Sequence, residues 1–320
     1  MENVKTALHS YLEHVKKPLI VVLGPTASGK TSFSVELAKE LQQEGGKPEI
    51  INGDSRQLYR YFDIGTAKIT QEEMKGIPHH LFSVLDPAEP VSIAWYQKEA
   101  MKLIDEILAR GGLPVLVGGS MLYIASIIDG LVPVDRSDPD LRKKLEEEYD
   151  RDEGHTQWNR LQEMDPESAE NIPHENKVYV VRALEIIELT GKKKSQQRDR
   201  TTPPYDIFII GIDQDREVLK KRIIERTKKM FEQGWMDEVK SLMERGYDET
   251  TPAMQSHGYR EIMEAIQSGS IDHDALIDVI SKNSIAYAKR QRTWWKGDER
   301  IRWVVFSRSG EPGLAARSDS

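Results

Sequence analysis

The sequence predicts an α/β fold: a parallel sheet flanked by helices and interrupted by a helical insertion. Three observations carry this. Short β-branched apolar runs alternate with helical segments, the pattern that builds a parallel sheet. A glycine-rich GPTASGKT segment joins the first run to the first long amphipathic helix. From about residue 135 to 200 the strand signal lapses while helical periodicity continues.

Residues 1–16 carry charges throughout and lack an apolar h-region, so no signal peptide is expected. Leu8, Tyr11, Leu12 and Val15 follow helical spacing and read as a short helix lying on the body. Residues 18–24 (PLIVVLG) read as a buried strand. Phe33, Leu37 and Leu41, four apart, form the core face of the next helix, which Gly45 and Gly46 end. Pro48–Gly53 reads as a second strand, 93–108 as a helix and 113–117 (LPVLV) as a third strand. The uncharged run 111–128 approaches a membrane span in length. Its Gly111, Gly112, Pro114, Gly118 and Gly119 predict instead a strand, a glycine turn and a helix start.

In the insertion, 138–153 reads as a solvated helical face, and Val178, Val181, Leu184 and Ile187 as a core-facing stripe. Residues 191–200 (GKKKSQQRDR) are strongly basic, and TTPP at 201–204 is a break. The sheet pattern resumes at 207–212 (IFIIGI). Long helices are expected over 215–245 and 273–296, with a last strand at 301–306. The expected division is a core of 1–134 and 201–310, an insertion of 135–200 and a flexible tail of 311–320.

Composition narrows the function. The 320 residues hold 45 Lys plus Arg against 53 Asp plus Glu, a formal net charge of −8. Bulk charge therefore does not hold nucleic acid, although a local basic channel still could. There is no cysteine, which excludes disulfides, zinc–thiolate and iron–sulfur sites and a Cys nucleophile. A cytoplasmic location is expected.

Residues 24–31 fit G-x-x-x-x-G-K-[ST] in full, with a buried strand before and an amphipathic helix after. The core is thus expected to be P-loop NTPase-like. Glycines let backbone N–H groups converge on phosphate oxygens, and the helix N-terminus adds its positive end. Gly24, Thr26, Ala27, Ser28, Gly29, Lys30 and Thr31 are the expected phosphate-binding residues. Lys30 supplies a mobile cation and the Thr31 hydroxyl can hold Mg²⁺. The strand 113–117 runs into Gly118, Gly119 and Ser120, not into an acidic Walker B residue. No Asn-Lys-x-Asp guanine-reading motif occurs either, so motor-ATPase and GTPase readings weaken. Asp54 follows the second strand and should face the phosphate loop. Three roles are open to it: helper to Mg²⁺, general base, or a structural cap.

The motifs GPTASGKT, DSRQLY (54–59), DIGTAK (63–68) and LVGGSMLY (116–123) occur in the order seen in tRNA dimethylallyltransferases. RALEI (182–186), RIIERTKKM (222–230), HGYREI (257–262) and AKRQRTWW (288–295) extend the match from about residue 18 to 306. The chain resembles the bacterial form of that family.

The resemblance implies transfer of a dimethylallyl group from dimethylallyl diphosphate to N6 of adenosine 37 in tRNA, giving N6-dimethylallyladenosine and diphosphate. The loop would then hold the donor's diphosphate rather than ATP, with Mg²⁺ as cofactor. Asp54 would be the general base, with Thr26 and Arg226 contacting the diphosphate. The implied tRNA contacts are Asp54, Ser55, Arg56, Gln57 and Leu58 as a pocket wall, then Ser120, Arg142, and Lys177–Arg182 including Arg182. Gln255–Arg260, including His257, Gly258, Tyr259 and Arg260, completes them. The partner is an anticodon stem-loop with adenosines at positions 36, 37 and 38; no membrane and a monomer are expected.

Basic and aromatic residues interleave from Lys282 to Arg302, which reads either as an RNA groove or as a core helix with Trp294, Trp295 and Trp303 packed inward. His79 and His80 read as structural. Two other function classes compete. A small-molecule or nucleoside kinase would require ATP turnover. A non-enzymatic RNA-binding protein would leave Asp54 and the loop unexplained.

Overall fold

The computed structural model describes residues 2–130, 138–195, 202–306 and 312–313. The sheet is built on β1 (Pro18–Leu23), β2 (Pro48–Gly53), β3 (His79–His80), β4 (Leu113–Gly118), β5 (Asp206–Gln214), β6 (Ile301–Phe306) and β7 (Pro312–Gly313). Their order is β3-β2-β4-β1-β5-β6-β7. The first six strands in that order run parallel, and β7 pairs antiparallel with β6. Apart from the two residues of β7, the expected tail at 311–320 lies outside the described residues.

The central β1 is buried along Leu19–Leu23 because both sheet faces are covered by helices. Outside the insertion the helices are α1 (Glu2–His14), α2 (Lys30–Gln43), α3 (Ile93–Ala109), α4 (Met121–Ile128), α9 (Arg216–Glu232), α10 (Trp235–Glu244), α11 (Tyr259–Ser268) and α12 (His273–Trp295). One core joins Leu8 of α1, Val35, Leu37 and Leu41 of α2, and Ile20, Val22, Ile210 and Val304 of the sheet. Each such side chain contributes roughly 1.5–3 kcal/mol by leaving water. The single helix expected over 215–245 is two, because Gly234 adopts φ 95° between α9 and α10.

Register aligns the site. Leu23 lies opposite Gly118 on β4 and Gly211 on β5, and Gly53 lies opposite Gly118. The loops after β1, β2 and β4 therefore leave the sheet at one level, where parallel sheets bind ligands, while β5 runs three residues further, to Gln214.

The helical unit comprises Ser92–Lys98 and Ala125–Pro203. It thus takes in chain on both sides of the 135–200 segment marked by periodicity. Its helices are α5 (Pro139–Asp150), α6 (His155–Met164), α7 (Pro166–Asn171) and α8 (Lys177–Thr190). They close on Leu145, Leu161, Val180, Val181, Leu184 and Ile187. Val178 departs from the expected stripe: it is 68% exposed. Steps of three residues fall about 60° short of a full helical turn, so three such steps put Val178 opposite Ile187.

The DIGTAK segment is clamped from within. Glu238 on α10 accepts the N–H groups of Asp63 (3.0 Å), Ile64 (2.7 Å) and Gly65 (3.2 Å), and the Tyr259 hydroxyl at 2.6 Å. Trp235 fills the space beside Gly65 and Gly258; a Cβ at either would come within 2.1 Å of the indole. No helix among the described residues is long and apolar enough to cross a membrane.

Glu238→Ala strands several part-buried donors at once, and should lower stability by about 3 kcal/mol. Urea unfolding checks this; a loss below about 1 kcal/mol would show that solvent replaces the carboxylate.

Candidate active site

Residues 24–31 curl between β1 and α2. Gly29 precedes α2 at φ 97°, and a Cβ at Gly24 would lie 2.1 Å from the Ile212 carbonyl oxygen. Only glycine lets the loop pass the end of β5 there. Lys30 folds back and donates from Nζ to the Pro25 carbonyl at 2.7 Å. Ser28 Oγ and Gln214 Oε1 are buried without a hydrogen-bond partner. An unmade bond of this kind costs roughly 1–3 kcal/mol, so the loop interior is ready for a polar ligand.

Asp54 stands at the end of β2. Its N–H donates to Asn52 Oδ1 at 2.8 Å, and its Oδ1 accepts the Arg56 N–H at 2.9 Å. This is an Asx turn, and no helix follows for Asp54 to cap. Asn52 Nδ2 also ties down the Asp54 carbonyl and the Leu81 carbonyl, each at 2.9 Å. The half-buried carboxylate is therefore held by its own turn.

Electrostatics join the loop to Asp54. Burial pushes the Lys30 ammonium down to about 8; the Asp54 charge opposes this and Arg226 adds to it. Burial likewise lowers Arg226, again opposed by Asp54. Arg226 comes from α9 and donates from Nη2 to Thr26 Oγ1 at 2.6 Å. On the other side, burial raises the Tyr287 phenol to about 12, with Asp54 reinforcing the rise. Ser120 Oγ accepts the Ser55 N–H at 2.9 Å and donates to Ser55 Oγ at 3.2 Å. Thr26, Lys30, Arg226, Asp54, Ser55 and Ser120 are thus brought together as the sequence expects.

A cationic rim adjoins them. The exposed Arg56, Arg260 and Arg290 lie close enough to His257 to lower its pKa together with the larger effect of burial, while Glu261 opposes them. Of the basic residues from Lys282 to Arg302, Arg290 lies at this rim. Arg292 pairs with buried Asp213 at 3.1 Å, Lys282 with Asp278, Arg300 with Asp298, and Arg302 stacks over Phe208. The segment is therefore no continuous groove. Trp295 is buried, Trp303 covers Gly211, and Trp294 is 45% exposed, so the inward packing holds for two of the three tryptophans.

Several expected contacts are turned inward. Tyr259 is fully buried with its hydroxyl on Glu238, and Gly258 packs on Trp235. Ser256 and Leu58 are buried, and the Gln57 amide donates to the Thr66 and Ala67 carbonyls at 3.0 and 3.3 Å. These side chains shape the wall rather than face solvent; Arg56, Gln255, His257 and Arg260 are exposed. His79 and His80 form β3, with His80 on Glu49 at 2.7 Å, as a structural role requires. Within the helical unit, Arg182 donates to Glu185 at 2.7 Å and Arg142 lies 3.8 Å from the same carboxylate, which is fully buried.

Among the described residues, no three His, Cys, Asp or Glu side chains gather as a metal cage. Oxygens that could meet an ion at the loop include those of Thr31, on the exposed first turn of α2, and Asp54. Such a sparse set fits Mg²⁺ only as an ion sharing its ligands with diphosphate oxygens. Sequence reasoning missed Gln291 and Glu238, and read Tyr287 only as one of the aromatics interleaved in the basic stretch. Gln291 and Tyr287 sit inside a stretch dominated by charge, and Glu238 has the appearance of a surface helix acid.

The IPP transferase family profile matches residues 57–298. A tRNA dimethylallyltransferase of Halalkalibacterium halodurans is 42% identical over 293 residues, spanning 90% of this chain and 91% of that protein. The crystal structure of a full-length tRNA isopentenylpyrophosphate transferase from Bacillus halodurans superposes with a TM-score of 0.65 at 41% identity, covering 91% of this chain and 90% of that one. A eukaryotic dimethylallyltransferase, captured in crystallographic snapshots acting on tRNA, superposes with a TM-score of 0.75 at 28% identity, covering 90% of this chain and 74% of that one. With a phosphate loop, a facing carboxylate and this extent of likeness, the chain belongs to the IPP transferase family.

Proposed function

We propose that this protein transfers a dimethylallyl group from dimethylallyl diphosphate to N6 of adenosine 37 in the tRNA anticodon stem-loop. The observation that carries the reading is the placing of Lys30 and Arg226, two desolvated cations, within electrostatic reach of Asp54. The cations suit a departing diphosphate, whose negative charge grows in the transition state. The carboxylate suits an amine that must lose a proton.

In the proposed step, the N6 lone pair forms a bond to C1 of the dimethylallyl group. The C1–O bond breaks and its electron pair leaves with diphosphate. The N6 proton passes to Asp54, which regains its charge when solvent takes that proton. Thr26, fixed through Arg226, orients the diphosphate, and Ser28 Oγ finds in it the acceptor it lacks within the protein. Mg²⁺, held by Thr31 and diphosphate oxygens, would neutralise leaving-group charge. Adenosine 37 must leave its stack to reach Asp54, as for other enzymes that act on a base. Arg56, His257, Arg260 and Arg290 offer phosphate and base-edge contacts on an otherwise acidic surface. Arg142 and Arg182 of the helical unit are proposed as further tRNA contacts. ATP chemistry fits less well, since Asp213 beside the loop is occupied by Arg292.

Asp54→Asn keeps the acceptor for Arg56 N–H but loses basicity. It should lower kcat by roughly 10²–10⁴-fold with anticodon stem-loop affinity within about threefold. Labelled dimethylallyl diphosphate, Mg²⁺ and unmodified tRNA carrying adenosines 36–38 provide the assay; equal losses of turnover and binding would contradict the base assignment.

The Lys30 ammonium is lowered in the free protein, and a bound diphosphate would raise it again. Binding of an alkyl diphosphate should therefore weaken as pH climbs through about 8, by up to about tenfold per pH unit. It should also take up protons at about pH 8.5. Calorimetry in buffers of different ionisation enthalpy reads this uptake. Lys30→Met should abolish it, and an unchanged uptake would place the titrating group elsewhere.

A further inference from the structure

The side-chain amide of Gln291 bridges the phosphate loop and the turn after β4. Its Oε1 accepts the Thr26 N–H at 2.8 Å, and its Nε2 donates to the Gly119 carbonyl at 2.7 Å. Gln291 is 1% exposed, so water does not compete for either bond. The seat is close-fitting: a Cβ at Gly119 would lie 2.4 Å from Nε2. Tyr287, one turn earlier on α12, donates to the same carbonyl at 3.4 Å.

Each end of this bridge leads to one half of the site. Thr26 continues to Arg226 through its hydroxyl, at 2.6 Å. Gly119 leads into Ser120, whose hydroxyl holds Ser55 beside Asp54. A Thr26 N–H committed to Gln291 is withdrawn from the donors that can meet phosphate oxygens, so this one amide also decides how the loop presents itself. Only an amide of this length supplies both a donor and an acceptor across the gap. A glutamate loses the donor when ionised, leucine loses both, and asparagine is a methylene too short.

We infer that Gln291 is a positioning residue that couples the donor cradle to the acceptor wall, so that filling one half of the site sets the geometry of the other. The inference rests on the function proposed above. Gln291 touches no reacting atom; it acts through Thr26 and Gly119.

The test compares wild type with Gln291→Leu, using a non-reactive alkyl diphosphate and an anticodon stem-loop RNA. Each affinity is measured alone and with the other ligand saturating. Linkage requires the coupling factor to be the same from either side. In wild type each ligand should tighten the other by about fivefold or more. In Gln291→Leu that factor should fall below about twofold, with each separate affinity within about threefold and kcat down by about tenfold or more. A merely structural role would instead weaken both separate affinities and leave the coupling factor alone. That result, or coupling preserved in the variant, or uncoupled binding in wild type, overturns the inference. A wild type that binds no alkyl diphosphate overturns the functional reading, and the inference with it. Should Gln291→Leu lack a cooperative unfolding transition, Gln291→Glu replaces it. Its coupling should be lost where the carboxylate is ionised and return at low pH, where the neutral acid donates to the Gly119 carbonyl; coupling retained at neutral pH overturns the inference.

Discussion

Two part-buried cations, Lys30 and Arg226, lose hydration to the fold, and a single carboxylate, Asp54, opposes that cost. Everything else in the site follows from that imbalance. Like charges in a low-dielectric corner repel, and burial penalises each of them. One half-buried carboxylate does not offset both, so the cradle is short of negative charge. In the function proposed here a diphosphate would supply it, with oxygens for the lysine, the guanidinium and the orphaned Ser28 hydroxyl. In the same proposal this carboxylate takes the proton that the incoming amine gives up. One electrostatic arrangement would thus serve both the proposed leaving group and the proposed nucleophile.

The scaffold exists to hold that corner still. Parallel register brings the ends of β1, β2 and β4 to one level, with β5 running on beside them to Gln214. From behind, α9 delivers Arg226 and α12 delivers Gln291 and Tyr287. In the sequence the DIGTAK segment is one of the motifs that carry the family resemblance. In the fold it is a nest of N–H groups filled by Glu238, the protein's own anion. Its glycine admits Trp235, as does Gly258 of the HGYREI motif. Part of what makes these motifs recognisable is therefore packing, with Arg56, His257 and Arg260 left exposed.

Much of this is legible in the sequence because local chemistry decides it. The strand–loop–helix at 18–43 follows from β-branched residues, glycines and a four-residue apolar spacing, and the loop that results needs no distant contact to be identified. Strand order alone places Asp54. The two-helix break at Gly234, by contrast, depends on one left-handed glycine within an otherwise helical pattern. Val178 falls off its expected face because a run of three-residue steps drifts around the helix. Tyr259 and Gln57 sit within motifs that resemble an RNA contact, and only tertiary packing reveals that their polar atoms are spent on Glu238 and the 66–67 turn. Gln291 is hidden for the same reason: its two partners are far from it in sequence, at Thr26 and Gly119.

The most direct test is a ternary crystal structure with a non-cleavable dimethylallyl diphosphate analogue and an anticodon stem-loop. The account predicts diphosphate oxygens on the 24–31 backbone, Lys30 and Arg226, and the adenine N6 roughly 3 Å from the Asp54 carboxylate. A diphosphate seated away from the loop, or an Asp54 carboxylate turned from the adenine and bonded only within its own turn, would contradict it.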